Sequence, residues 1–143
     1  MRKDTLASLL RDNIQIKDLY KLYEEDVEEQ LPLEKRVSIL LYELSLSPSY
    51  KGYKYLKDAI MMLCEDESNY RSFTKNIYPA LAKKHNTTSQ NIEKNIRFAI
   101  KKIYESNTET ELERHLGKNP LIFTKTSNVK FVTFCAEKLR LER

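Results

Sequence analysis

Apolar residues recur at helical spacing along most of the chain, and polar breaks divide them into segments. Asp4 can cap a short helix that carries Leu6, Leu9 and Leu10. Ile16, Leu19, Leu22, Tyr23 and Val27 continue the pattern, and acidic residues (Glu24, Glu25, Asp26, Glu28 and Glu29) close it. Past Pro32, the spacing of Val37, Leu40, Leu41 and Leu44 predicts a helix over about 34–46, which Ser47, Pro48 and Ser49 break. A further helix opens at Gly52 with Leu56, Ala59, Ile60 and Leu63 inward, and stops at the polar run 65–68. Phe73 and Ile77 lead into Tyr78 and Pro79, and proline suits the first turn of a helix. Leu116 to Pro120 is a turn, and the short β-branched stretch from Leu121 to Thr126 is expected to be extended. A last helix starts at about Asn128, with Val129, Val132, Cys135, Ala136 and Leu139 as its apolar stripe.

Residues 79–103 carry the most information. Their pattern is two helices around a tight turn, a scaffold helix at about 79–85 and a second, recognition helix at about 88–104. Leu81 and Ala82 face inward, and the small Ala82 lets a second helix approach closely. Asn86, four residues later, can adopt the left-handed conformation that usually calls for glycine. Thr87 with Gln90 three positions on is the expected capping box. Ile92, Ile96, Ala99, Ile100 and Ile103 form one face of the second helix. The spacing matches a helix-turn-helix. An ordinary amphipathic helix has the same periodicity, and the turn pattern is what distinguishes the two.

The other face of that helix holds the candidate base-contacting residues Gln90, Asn91, Glu93, Lys94 and Arg97. Gln and Asn can pair with adenine through two hydrogen bonds, Lys and Arg with guanine, and Glu can accept from cytosine. Lys83, Lys84, Lys101 and Lys102 flank them and suit phosphates, which position a protein on DNA without specifying sequence. Charge supports this placement. Residues 1–50 hold 7 basic and 10 acidic side chains, whereas residues 51–143 hold 18 and 11. Between 75 and 102, seven basic residues face a single acid, Glu93. A basic field of this kind attracts a phosphate backbone, although a solvated helix face would look similar.

Composition narrows the fold class. Two glycines in 143 residues leave little for the turns of an all-β fold or for a phosphate loop, and neither GxGxxG nor GxxxxGK[ST] occurs. The expected fold is an all-α helical bundle of about one domain. No stretch approaches a membrane span, and the first residues are not a secretory signal, so a cytoplasmic protein with no membrane partner is expected. Cys64 and Cys135, without a CxxC spacing, read as reduced, partly buried thiols. His85 and His115 have no second ligand at metal spacing, so neither a metal nor a cofactor is expected, and His85 is assigned a helix-terminus or core role. No enzyme signature is present.

The stretch from Glu34 to Glu142 resembles the C-terminal DNA-binding domain of the master sporulation response regulator of endospore-forming bacteria. The matching residues are Lys51-Gly52-Tyr53 with Tyr55-Leu56 and Ala59-Ile60, then Tyr78-Pro79 with Leu81-Ala82-Lys83-Lys84. They continue through Asn86-Thr87-Thr88, Glu93, Ile96-Arg97 and Ala99-Ile100 to Lys138-Leu139-Arg140-Leu141-Glu142. The resemblance implies about six helices and transcription control at short G/C-containing heptamer boxes, often occupied by tandem dimers. It places the family's DNA-contacting positions on Gln90, Asn91, Glu93, Lys94 and Arg97. Glu93 and Arg97 keep the family's residue type, whereas Asn91 and Lys94 stand where it has arginine, and Gln90 where it has serine.

The family also carries an α/β receiver domain ahead of this one, and residues 1–33 are too few to form it. They are expected to be a helical extension to the DNA-binding domain at 34–143, either packed on it as extra core or forming a dimer contact. An acidic arm screening the basic helix is a third role. The expected function is sequence-specific, major-groove transcription regulation on double-stranded DNA. Its candidate protein partners are a second copy, an RNA polymerase sigma factor or a full-length relative. The alternative is an interaction protein of the same fold that antagonises a full-length relative without productive DNA binding.

Overall fold

The computed structural model describes residues 31–118 and 127–141. The expected helices around Leu6 and Ile16, and the extended stretch from Leu121 to Thr126, lie outside the described residues. The chain divides into two compact units, Met1–Arg36 and Val37–Arg143. The second unit contains the core considered below.

Among the described residues the structure is helical and without strands, as expected of an all-α chain with so few glycines. The helices are α1 (Leu33–Glu43), α2 (Lys51–Glu65), α3 (Tyr78–Lys84), α4 (Ser89–Ser106), α5 (Glu109–Leu116) and α6 (Asn128–Leu141). A 3₁₀ turn, Glu67–Tyr70, and a π turn, Phe73–Ile77, carry the chain from α2 to α3. Asp66 starts the first of these by accepting from the Ser68 backbone N–H and hydroxyl. Those two bonds hold its carboxyl below the usual range.

Helix α2 is central, packed against both α4 and α6. Its inward residues are Gly52, Tyr55, Leu56, Ala59, Ile60, Leu63 and Cys64, a stripe at intervals of three and four. Gly52 marks the crossing with α4. A Cβ there would lie 2.1 Å from the Asn95 carbonyl oxygen and 3.0 Å from the Ala99 Cβ. Only glycine opposite a small residue allows this approach. At the other end of α2, the Cys64 thiol points to the Ala136 carbonyl of α6 at 3.8 Å. Both cysteines are free and fully within the core, deeper than expected, and burial pushes the Cys135 thiol up. The core also takes Phe131, the largest fully buried side chain, while Val129, expected inward, is only half-buried. Burying each such leucine, isoleucine or phenylalanine contributes about 1.5–3 kcal/mol.

Two boundaries differ from the sequence expectation. Helix α1 ends at Glu43 rather than about 46, because Ser45 turns left-handed at φ 63. Leu44 and Leu46 are nevertheless buried beyond its end. Helix α5 is a helix the apolar spacing alone did not reveal. Its signature is chemical: Thr108 and Glu111 form a reciprocal capping box, and Gly117, at φ 90, ends the helix. Asn107, between α4 and α5, donates to the carbonyls of Ile103 and Leu44, joining the end of α4 to the end of α1.

Candidate nucleic-acid interface

Helices α3 and α4 are joined by residues 85–88. Pro79 lies in the first turn of α3, where its missing N–H costs nothing. Helix α3 closes through His85 N–H to Leu81 O (2.9 Å) and Thr87 N–H to Ala82 O (2.9 Å). Between them Asn86 adopts the left-handed conformation at φ 53, as its residue type suggested. Ala82 and Ile92 are both buried where the two helices meet.

The cap of α4 lies one residue later than the expected Thr87–Gln90 box. Thr88 is the N-cap, and its hydroxyl accepts from the Asn91 N–H at 3.1 Å. The reason is local. The Thr87 N–H already closes α3, and its hydroxyl accepts from the Asn91 side-chain amide at 2.9 Å. Thr88, in extended backbone, is the residue free to cap. Gln90 therefore projects from the helix and is exposed.

The buried stripe of α4 is the expected one: Ile92, Ile96, Ala99, Ile100 and Ile103. On the outer face Gln90, Lys94, Arg97 and Lys101 are exposed, while Asn91, Glu93 and Lys102 are half-buried. Lys83 and Lys84, at the end of α3, are exposed. The nine candidate residues thus share the α3–α4 unit, but their side chains are engaged differently.

One flank is an open groove of about 750 Å³, lined by Gln90, Glu93 and Arg97 from α4, Tyr78 from α3, and Ser127 and Asn128 at the start of α6. Arg97 donates to the Glu93 carboxylate at 2.8 Å, one helical turn away. With side-chain exposures of 63% and 46%, the pair is easily exchanged for another partner and worth only about 0.3–0.5 kcal/mol. Asn128 donates from its side-chain amide to the Tyr78 hydroxyl and to the Glu93 backbone carbonyl, each at 3.1 Å. Burial pushes the Tyr78 phenol up, and the Asn128 bond pulls the other way.

The opposite flank is stitched together internally. Asn91 donates to Thr87, and Asn95 donates both to the Asn91 side-chain oxygen and to its backbone carbonyl, at 2.8 Å each. Further along, Phe98 meets Tyr50 edge-on at 5.5 Å, and the Lys102 ammonium lies 5.3 Å from the Phe98 ring centre. Lys102 and Lys101 also approach Glu105, at 3.3 and 3.9 Å.

The Asp58 carboxylate of α2 holds the end of α3. One oxygen takes the His85 ring nitrogen at 2.7 Å and the Lys84 ammonium at 3.0 Å. His85 also packs edge-on against Tyr55 at 4.9 Å, so it is both a helix-terminus and a packing residue. His115 faces Glu43 at 3.4 Å. Among the described residues no cluster of three or more His, Cys, Asp or Glu side chains could hold a metal ion, and no helix is long and apolar enough to cross a membrane. Lys83 and Lys94 are exposed and have no ion pair among the described residues.

Sequence reasoning missed Tyr78, Ser127 and Asn128 as members of this surface. Asn128 lies 35 positions from Glu93, and no periodic pattern connects residues on separate helices.

An exposed helix face of amide, carboxylate and guanidinium groups, rimmed by lysines and backed by an apolar stripe, can present hydrogen-bonding groups to base edges and charge to phosphates. The comparison with known families agrees. The family model described as Sporulation initiation factor Spo0A C terminal matches residues 37–139, which include every candidate residue of α3 and α4. That family is one of DNA-binding effector domains of transcription regulators, not of enzymes. With most of its length matched, the chain belongs to the family of the C-terminal DNA-binding domain of the sporulation initiation factor.

Proposed function

We propose that the chain is a sequence-specific transcription regulator that reads a short box in the major groove through a helix-turn-helix, with α3 as scaffold and α4 as recognition helix. The observation that carries this reading is the division of α4. A continuous buried stripe fixes its inner face, while Gln90, Glu93, Lys94 and Arg97 stand along the outer one. In this reading Gln90, Lys94 and Arg97 reach base edges directly. Glu93 accepts from a base or orients Arg97. Asn91 contributes the amide hydrogen and oxygen lone pair that Thr87 and Asn95 leave over. Lys83, Lys84, Lys101 and Lys102 contact phosphates, Lys84 leaving Asp58 to His85 when it does so.

The test is fluorescence anisotropy of the full chain on a duplex bearing a G/C-containing heptamer box and on a scrambled duplex, at two salt concentrations. The expected result is tighter binding to the box by several kcal/mol, with both affinities falling as salt rises. A panel of randomised duplexes covers a retuned box. Failure to prefer any duplex, together with a mixed complex with a full-length relative, overturns the reading in favour of an antagonist of that relative.

A further inference from the structure

Asn128 lies outside the helix pair that the previous reading uses, yet it touches both members of it. It is the first residue of α6, and its side-chain amide has two hydrogens. One goes to the hydroxyl of Tyr78, the first residue of α3, and the other to the backbone carbonyl of Glu93 in the N-terminal half of α4. A single planar group therefore joins the starts of three helices. Both donors are used, and both acceptors sit on the wall of the groove that holds Gln90, Glu93 and Arg97.

The geometry of each bond makes the joint specific. The Glu93 carbonyl belongs to the helix backbone, so a bond to it constrains the rotation and height of α4 itself and not merely one side chain. Tyr78 is a firm anchor. It is 7% exposed and its ring meets Phe73 edge-on at 5.2 Å. Further along, α4 and α6 also meet through apolar contact, as in the tilted approach of Tyr104 to Phe131 at 6.0 Å. Apolar packing tolerates small rotations of a helix, whereas a pair of directed hydrogen bonds does not. Glu93 and Arg97, one turn apart, move with the carbonyl that Asn128 holds.

We infer that Asn128 is a positioning residue for sequence readout: bridging Tyr78 and the Glu93 carbonyl, it sets the angle at which α4 presents Gln90, Glu93 and Arg97 to the bases. It touches no base itself. This rests on the DNA-reading function proposed above. A helix released by loss of the bridge still carries its charges to phosphates, so non-specific affinity and its salt dependence are unchanged. What is lost is discrimination between base sequences.

The experiment uses the full chain as wild type, Asn128→Ala, Asn128→Asp and Tyr78→Phe. Asn128→Asp keeps the shape but cannot donate and sets a carboxylate against the Glu93 carbonyl. Each protein is titrated onto the duplex that the wild type selects best from a randomised pool and onto a scrambled duplex, at two salt concentrations. Circular dichroism and urea unfolding check that each variant is folded. The expected result is that Asn128→Ala and Asn128→Asp lose about tenfold in the ratio of selected to scrambled affinity, the scale of one directed hydrogen bond. In Asn128→Ala, scrambled-duplex affinity and the salt slope stay at the wild-type level; the added charge of Asn128→Asp weakens both duplexes alike, so for that variant the ratio is the readout. Tyr78→Phe, which keeps the Glu93 bond, shows a smaller loss of the same kind. An unchanged ratio in folded Asn128→Asp overturns the inference and leaves the DNA-reading function standing. Equal loss on both duplexes in the uncharged Asn128→Ala also overturns it, because it shows a general role in stability. A wild type that selects no sequence overturns the DNA reading, and this inference with it.

Discussion

The two flanks of α4 are built in opposite ways. Towards α2, the helix is locked: Gly52 lets its backbone approach closely, and Thr87, Asn91 and Asn95 hydrogen-bond one another in a row. Towards α6, beyond the single bond from Asn128 to the Glu93 carbonyl, it borders an open groove where the side chains of Glu93 and Arg97 are partly exposed and pair with each other. Under the proposed DNA-reading function, the difference separates anchoring from reading. A helix that reads bases needs side chains whose alternative partners are weak, and such side chains cannot also hold the helix in place. The locked flank supplies the rigidity, and the exposed ion pair is cheap to exchange for a base.

The largest expected effect lies at the locked flank. Gly52→Ala forces a methyl group onto the Asn95 carbonyl, and the α2–α4 crossing must open. The loss is about 3 kcal/mol, the upper end for overpacking, and it outweighs the gain of about 1 kcal/mol in helix propensity. Urea unfolding measures it, and a stability equal to wild type would show that the flank is not locked at that point. Next, Arg97→Ala should relax base preference at one position of the site by roughly 1–3 kcal/mol while leaving unfolding nearly unchanged. Binding to a panel of single-base variants reads this.

A pair of neighbours gives the sharpest contrast. Asn91→Ala removes bonds to Thr87 and Asn95 and should lower stability by about 1 kcal/mol. Gln90→Ala, on the exposed side, should change stability by less than about 0.5 kcal/mol. Equal losses in thermal or urea unfolding would erase the distinction between the flanks. Lys101→Ala is a smaller test. It should weaken all duplexes alike and lower the salt slope by about one, without altering base preference. If Arg97→Ala and Lys101→Ala behave identically across the panel, the division between reading and phosphate contacts fails.

A further small effect is expected at Tyr104, on the inner side of α4. Its hydroxyl is buried without a hydrogen-bond partner among the described residues, so Tyr104→Phe should be neutral or stabilising at neutral pH, within about 1 kcal/mol. Burial pushes its phenol from 10.0 up to about 12. The unfolded chain therefore releases this proton at lower pH than the folded one. The stability tied to it is complete below pH 10 and is lost as pH rises towards 12. Urea midpoints at neutral pH and near pH 11 should fall less in Tyr104→Phe than in wild type.

Much of the helical layout could be read from residue order. The stripes of α2 and α4 followed from spacing, and Asn86 announced the turn by its residue type. Where local hydrogen bonds competed, that reading failed by small amounts. Two adjacent threonines both suited a cap, and only the closure of α3 assigned it to Thr88. Helix α5 escaped because its apolar residues are few, although Thr108 and Glu111 marked its start. The candidate surface was legible as a set of residues but not in its engagement. That Asn91 is half-buried and bonded at both ends, while Gln90 beside it is exposed, depends on neighbours brought in by folding.

The sequence by itself determined that this is an all-α chain with a basic, amide-bearing helix face, because periodicity and charge are properties of nearest neighbours along the chain. The tertiary structure decided which of those side chains are held and which are open. Asn128 meets Glu93, Asp58 meets His85 and Lys84, and Gly52 meets Asn95 across gaps of 26 or more positions. Directed bonds between separate helices have no period, so they become visible only once the core has set where each helix lies.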